Sequence, residues 1–162
     1  METKREALLR KIWAAQDTAY DLMCEYDSMP HSYGENTLYQ AEAHLIDLIA
    51  QQPDITITDL AGIVRKTPSA CSQIVRKLRA KGWVEQTRNA ANNRQFMLRL
   101  TEAGEQVYQD HAAFDRYCQE LTFRRLEDVS EEDLEICLCV QRKINEAYQD
   151  DVRRSREHFS QR

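Results

Sequence analysis

The chain has 162 residues, of which 42% are hydrophobic and 30% charged, with a formal net charge of −5. That length fits one domain with a real core, and four Gly and three Pro are too few for the many reversals of an all-β fold. The longest apolar run, 136–140, is far shorter than a membrane span, and the acidic balance by itself argues against nucleic-acid binding.

Two helices are predicted in the first 51 residues, and the second of them stops at Pro53. Apolar residues at three- and four-residue spacing indicate a first helix of about five turns, which ends before Met29-Pro30. The second helix is predicted from Thr37 to Gln51, with His44 among the apolar residues of its inner side. Each helix therefore has one face to bury.

A helix-turn-helix is predicted next. A short β-like segment, 55–57, precedes a helix that Thr58 caps and that runs through Arg65. Thr67-Pro68 then supplies a hydroxyl cap and a proline at the first helical position of a helix that reaches Lys81. Such a short connection between two helices is typical of a helix-turn-helix.

A hairpin and two long helices complete the prediction. The β-prone runs 83–88 and 96–100 flank a polar loop, which indicates a β-hairpin. Thr101 caps a helix with His111 on its apolar stripe, and Ser130 begins a capping box for the last helix. The predicted fold is mainly α with a small β-hairpin wing, that is, a winged helix-turn-helix flanked by N- and C-terminal helices.

Charge is distributed unevenly along the chain. Residues 65–99 contain nine basic residues and one acid, Glu85, so this segment has a net charge of +8 and the rest of the chain −13. The segment coincides with the helix-turn-helix and the hairpin, which makes phosphate its natural partner. The basic residues are Arg65, Lys66, Arg76, Lys77, Arg79, Lys81, Arg88, Arg94 and Arg99.

The second helix of the motif has a polar face opposite an apolar one. Hydroxyls, an amide and an arginine on that face are side chains that reach base edges or phosphates in the major groove. Arg94, near the hairpin tip, is placed to enter a neighbouring minor groove. The predicted contacts with double-stranded DNA are Thr67, Ser69, Ser72, Gln73, Arg76, Lys77, Arg88, Asn93 and Arg94.

These residues resemble the MarR family of bacterial winged-helix transcription regulators. The resemblance is carried by Asp59-Leu60-Ala61, by residues 67–78 and 81–85, and by Arg94 followed by residues 98–104. It implies a homodimeric repressor whose first, fifth and sixth helices interlock, and which presents two lobes to a pseudo-palindromic operator. It also implies an effector that changes operator affinity. Asparagines stand here where the family's wing usually has aspartates that hold its arginine: Asn89, Asn92 and Asn93.

The expected organisation is a single MarR-like domain over 1–162. Residues 37–101 would form the DNA-binding lobe, 1–30 and 102–150 the dimerisation region, and 151–162 a frayed basic tail. Broad apolar stripes near both chain ends agree with a dimer, because they have little else to bury against. The first residues lack the apolar stretch of a secretory signal, and the five cysteines show no disulfide spacing, so a cytoplasmic location is expected.

The histidines have two interpretations. His111 and Asp115 are four residues apart and can face one ion, to which His44 and Glu25 would add ligands. This set is similar to that of a zinc-responsive branch of the family, which has a histidine where this chain has Asp115. In the alternative interpretation, both histidines are core residues satisfied by hydrogen bonds.

Other effectors and functions stay open. An oxidant would act on a cysteine, and an organic ligand would occupy a cleft near the N-terminal aromatic residues. A metal-binding hydrolase would use the same four metal ligands but leaves the basic segment unexplained, and a dimeric interaction module would bind an acidic protein. A DNA-binding regulator without enzymatic activity is therefore the favoured interpretation. The cysteines are Cys24, Cys71, Cys118, Cys137 and Cys139, and the aromatic residues are Trp13, Tyr20, Tyr26, Tyr33 and Tyr39.

Overall fold

The structure, a computed structural model, describes residues 2–88 and 96–160. Within these residues the chain is mainly helical with small antiparallel sheets, as predicted. It divides into two compact units, Met1–Arg116 and Tyr117–Arg162. The elements are α1 (Lys4–Ser28), β1 (Pro30–Tyr33), β2 (Asn36–Tyr39), α2 (Gln40–Gln51), β3 (Ile55–Thr56), α3 (Ile57–Val64), α4 (Pro68–Ala80), β4 (Val84–Arg88), β5 (Phe96–Leu100), α5 (Glu102–Arg125) and α6 (Glu131–Ser160).

The predicted winged helix-turn-helix is confirmed in the first unit. Strands β4 and β5 form the hairpin, with Val84 opposite Leu100 and Arg88 opposite Phe96. Strand β3 pairs with the other edge of β5, which gives the sheet order β3-β5-β4. Helices α3 and α4 pack together and against this sheet. Their shared core includes Leu45, Ile46, Ile49, Leu60, Val75, Leu78, Leu98 and Val107.

A hairpin that the sequence did not predict lies before α2. The prediction began the second helix at Thr37, but residues 36–39 form strand β2 and pair antiparallel with β1. Gly34 makes the reversal possible, because its φ of +59° lies in the region that favours glycine. Tyr33 and Leu38 are fully buried and tie the hairpin to the core. The helix therefore begins three residues later than expected, at Gln40.

The N-terminal cap of α3 also differs from the prediction. Thr56, not Thr58, accepts the backbone N–H of Asp59 at 3.2 Å. The carboxylate of Asp59 in turn accepts the N–H of Thr56 at 3.0 Å, which completes a capping box. Thr56 is thus both the last residue of β3 and the cap of α3, so no linker separates strand from helix.

The two long terminal helices leave apolar side chains exposed. Helix α1 has 25 residues, longer than the five turns predicted, and none of them is buried. In the second unit, Leu134 and Leu138 are 41% and 51% exposed on α6. Across residues 2–88 and 96–160, no helix is both long and apolar enough to cross a bilayer.

The prediction of a frayed tail is corrected for residues 151–160. Helix α6 begins as predicted, with the Ser130 hydroxyl accepting the Asp133 N–H at 3.1 Å, but it continues to Ser160. Within its last turns, Arg153 pairs with Asp150 at 2.9 Å. Ion pairs between residues three positions apart stabilise an exposed helix. The basic residues that indicated a frayed tail therefore help to stabilise the end of α6.

Candidate nucleic-acid interface

Helix α4 presents the polar face that its sequence predicted. Thr67 caps the helix by accepting the N–H of Ala70 at 3.2 Å, and Pro68 occupies the first turn. Ser69, Gln73 and Arg76 are exposed and Ser72 is half-buried. The opposite face packs inward, with Cys71, Val75 and Leu78 buried and Ile74 packed against the core. Packing of the apolar face thus fixes which polar side chains α4 offers to a partner.

The cations on this helix are available for an external partner. Arg76 and Lys77 are exposed, and neither side chain makes a hydrogen bond or ion pair within residues 2–88 and 96–160. On the hairpin, the guanidinium of Arg88 lies 5.8 Å from the ring centroid of Phe96, its cross-strand neighbour. The predicted contacts Asn93 and Arg94 lie outside the described residues, as do Asn89 and Asn92.

Two other arginines of the basic segment are engaged within the fold. Arg99 holds the Asp54 carboxylate bidentately, at 2.6 Å from Nε and 2.7 Å from Nη2. The Arg79 guanidinium donates to the side-chain oxygen of Gln86 at 2.8 Å. The paired guanidinium lowers the pKa of Asp54. These side chains brace the wing sheet, so the charge that faces outward is smaller than the sequence total of +8.

Lys81, also counted in the basic segment, turns toward the protein. Its Nζ lies 3.3 Å from the Thr37 carbonyl oxygen, 3.3 Å from Oε2 of Glu42 and 4.5 Å from the ring centroid of Trp83. Glu42 is 6% exposed, and its carboxylate also accepts the backbone N–H of Tyr39 at 3.3 Å. Lys81 therefore ties the end of α4 to β2 and α2.

Replacement of Lys81 by alanine is expected to destabilise the protein by about 1–3 kcal/mol, because the buried Glu42 carboxylate would lose its cation. Urea unfolding measures the change. Lys77→Ala is the matched control: Lys77 has no partner in the described residues, so its replacement should change stability by less than about 0.5 kcal/mol. Equal stability of the two variants would contradict the structural role of Lys81.

A second cluster of polar groups surrounds His111. The imidazole is 2% exposed, and its Nδ1 donates to Oδ1 of Asp47 at 3.0 Å. Its Nε2 is buried without a hydrogen-bond partner in the described residues, with Oδ2 of Asp115 3.6 Å away. The ring packs edge-on against Tyr33, with centroids 4.9 Å apart. Sequence reasoning identified His111 and Asp115 but missed Asp47, because the contact joins residues 64 positions apart.

The four predicted metal ligands are not brought together. His44 is exposed, whereas the prediction placed it on the packed side of α2, and Glu25 is exposed on α1. Helix α2 instead buries Glu42, Ala43 and Ile46, because its core-facing side is wider than the predicted stripe. Of the described residues, no three His, Cys, Asp or Glu side chains are grouped so that they could hold one ion. Only His111 and Asp115 of the predicted set are neighbours, so this arrangement does not fit a zinc site.

The cysteines are free thiols. Cys71 is fully buried on the packed face of α4, where it acts as a small hydrophobic residue, and burial raises the pKa of its thiol. Cys24, Cys137 and Cys139 are exposed, and Cys118 is half-buried.

The His111–Asp47 contact predicts a pH dependence of stability. The hydrogen bond to Asp47 raises the pKa of His111, against the opposing effect of burial, and the charges of Asp47 and Asp115 raise it further. A raised folded pKa stabilises the fold fully below the unfolded value of about 6.5, and this contribution is lost as pH rises through the folded value. Chelator-treated protein should therefore unfold at a lower urea concentration above the folded pKa of His111 than below about pH 6.5. Asp47→Asn should flatten the dependence, and an unchanged profile in this variant would contradict the assignment.

A family model and a curated protein both match part of this chain. Residues 38–96 match the model of the MarR family. The Bacillus subtilis HTH-type transcriptional regulator YhjH is 26% identical over 98 residues, which cover 53% of this chain and 56% of that protein. The match thus spans about half the length of this curated relative. The matched region contains α2 to β4, which form most of the described lobe.

Solved structures share the fold over most of the chain. The crystal structure of Streptococcus pneumoniae FabT in complex with DNA has a TM-score of 0.67 and 19% identity, and the match covers 89% of this chain and 98% of FabT. The crystal structure of Lactococcus lactis ZitR, a zinc-responsive MarR family member, has a TM-score of 0.72 and 16% identity, with 87% of this chain and 99% of ZitR covered. At these identities the likeness concerns the fold.

Proposed function

We propose that this chain, whose residues 38–96 match the MarR family model, is a sequence-specific DNA-binding transcriptional regulator of that family. The observation that carries the proposal is the exposed polar face of α4 in a winged helix-turn-helix. Ser69, Gln73 and Arg76 are exposed there, and Arg76 has no partner within the described residues. These side chains suit a helix that lies in the major groove, where arginine and amide groups read base edges. The complex of FabT with DNA supports the same use of this fold.

The active form proposed is a homodimer. Helix α1 buries none of its residues, although Leu8, Leu9 and Ile12 are 51%, 48% and 36% exposed on it. In the other unit, α6 exposes Leu134 and Leu138. Apolar surface on this scale typically marks an interface, and a second copy would bury it. Sedimentation equilibrium should give a mass twice the chain's 19.0 kDa.

The proposed partner is a pseudo-palindromic operator. Two lobes related by a two-fold axis read half-sites about one helical turn, or a multiple of a turn, apart. Selection of duplexes from a random pool by the full-length protein tests this expectation. Enrichment of one inverted repeat is the expected result. If no common sequence is enriched, or if the protein binds an acidic protein and not DNA, an interaction module would be favoured instead.

The proposed action is repression that an effector modulates, and zinc is a second candidate function. The family includes the zinc-responsive ZitR, whose fold this chain shares. Only His111 and Asp115 of the predicted ligands are neighbours, and the one observation that favours zinc is the buried Nε2 of His111, which has no hydrogen-bond partner among the described residues. Zinc sites use about four ligands, so such a role would require Glu25 and His44 to approach this pair.

Elemental analysis tests the zinc candidate independently of DNA. The protein is purified without chelator, and bound zinc is measured for wild type and His111→Gln. Zinc bound by the wild type and lost in the variant would support a zinc response. Absence of bound zinc, together with an operator affinity that added zinc does not change, would contradict it and leave an oxidant or an organic ligand as effector.

A further inference from the structure

The turn between α3 and α4 contains a backbone conformation that side chains seldom adopt. Arg65 has φ 52° and ψ 40°, in the left-handed region. The N–H groups of Arg65 and Lys66 both donate to the carbonyl oxygen of Ala61. This is the hydrogen-bond pattern with which many helices end on a left-handed residue, and that residue is usually glycine.

The end of α4 provides an internal comparison. The N–H of Trp83 donates to the Leu78 carbonyl oxygen at 3.0 Å, with the same spacing of five residues. The left-handed residue there is Gly82, with φ 76°. A Cβ added to Gly82 would meet no described atom within 4 Å, so the backbone conformation rather than crowding favours glycine. The chain thus ends one helix of the motif on glycine and the other on an arginine that is strained in the same conformation.

Among the described residues, no side chain holds Arg65 in its left-handed conformation. Among the described residues, the other non-glycine residue with positive φ is Asp54, and Arg99 holds its carboxylate bidentately. The Arg65 side chain is exposed and makes no hydrogen bond or ion pair with the described residues. A strained arginine whose side chain has no partner among the described residues is available to a partner outside the chain.

The position of Arg65 indicates which partner. It lies two residues before Thr67, the cap of α4, and the exposed Lys66 stands between them. When the second helix of such a motif enters the major groove, its N-terminal end lies beside the phosphates that border the groove. A guanidinium can hold a phosphate bidentately, which a glycine cannot do.

We infer that Arg65 anchors a DNA backbone phosphate beside the groove that α4 reads. The inference rests on the DNA binding proposed above and assigns to Arg65 affinity without sequence choice. Phosphates are present in every sequence, so this contact strengthens specific and nonspecific binding alike. Because a dimer carries two copies of Arg65, two phosphates are neutralised in each complex.

Arg65→Gly separates this role from a structural one, because its effects on stability and binding have opposite signs. Relief of the left-handed strain should raise Tm by about 2–4 °C. Affinity should fall on the order of 10-fold, equally for the selected operator and for a random 30-bp duplex. The slope of log affinity against log salt should become shallower by about 2, since each phosphate contact contributes roughly 0.9.

Two variants serve as controls. Arg65→Lys keeps the charge and should keep the wild-type salt slope. Arg10→Ala removes an exposed cation of α1 and should change neither the affinity for DNA nor the salt slope. Wild-type affinity and salt slope in Arg65→Gly would overturn the inference while leaving the proposed function intact. A lowered Tm in that variant would overturn the strain argument. Failure of the wild type to bind any duplex would overturn both the inference and the proposed function.

Discussion

Replacement of Gly104 by alanine is expected to destabilise the protein by about 3 kcal/mol or more, although it adds a single methyl group. A Cβ at this position would overlap the carbonyl oxygen of Trp83 and lie 2.8 Å from its carbonyl carbon. That oxygen already accepts the N–H of Thr101 at 3.0 Å, and the Thr101 hydroxyl accepts the N–H of Gly104 at 3.0 Å. The backbone at Trp83 and the backbone at Gly104 therefore cannot move apart without breaking the hydrogen bonds that join the wing sheet to α5.

Gly62→Ala is the matched control for this prediction. Gly62 lies inside α3, and a Cβ there would meet no described atom within 4 Å. Alanine favours a helix interior over glycine, so this variant should be stabilised by up to about 1 kcal/mol. Urea unfolding of both variants measures the difference. Stabilities within about 0.5 kcal/mol of each other would contradict the close approach of α5 to Trp83.

The second large effect is expected at Arg76. Arg76→Ala should weaken operator binding by about 100-fold, because each lost base-edge contact costs roughly 1–3 kcal/mol and a dimer loses two. Its Tm should stay near the wild-type value, since the side chain is exposed and has no partner in the described residues. Fluorescence anisotropy with the selected duplex measures the affinity.

Arg10→Ala is the control for the loss of a positive charge. Arg10 lies on α1, exposed and paired with Glu2 at 2.5 Å, far along the chain from the helix-turn-helix. Its replacement should leave operator affinity unchanged. If Arg76→Ala binds the operator as tightly as Arg10→Ala, the polar face of α4 is not the reading surface.

The helix-turn-helix could be predicted because its signals are local. Thr67-Pro68 specifies the start of α4, and a 3.6-residue period separates its packed face from its polar face. The caps at Thr101 and Ser130 are likewise set by residues three positions away. Such contacts can be recognised from spacing alone, which is why the exposed and packed faces of α4 agree with the sequence prediction.

The missed features depend on contacts between distant residues. Strand β2 exists because Leu38 and Tyr33 reach the core, and four-residue strands carry little periodic signal. Glu42 is buried where a charge is unexpected, because Lys81 meets it from 39 positions away. The same contact removes Lys81 from the outward-facing charge. Sequence counts of basic residues cannot distinguish those paired within the fold from those available to phosphate.

The measurement that most directly tests DNA reading by this protein is an equilibrium titration at about 0.15 M salt. The full-length wild-type protein is titrated into the selected duplex and into a scrambled duplex of the same composition. Specific recognition predicts an affinity for the selected duplex at least about 1,000-fold tighter. Equal affinity for the two duplexes, or no binding to either, would contradict a sequence-specific regulator.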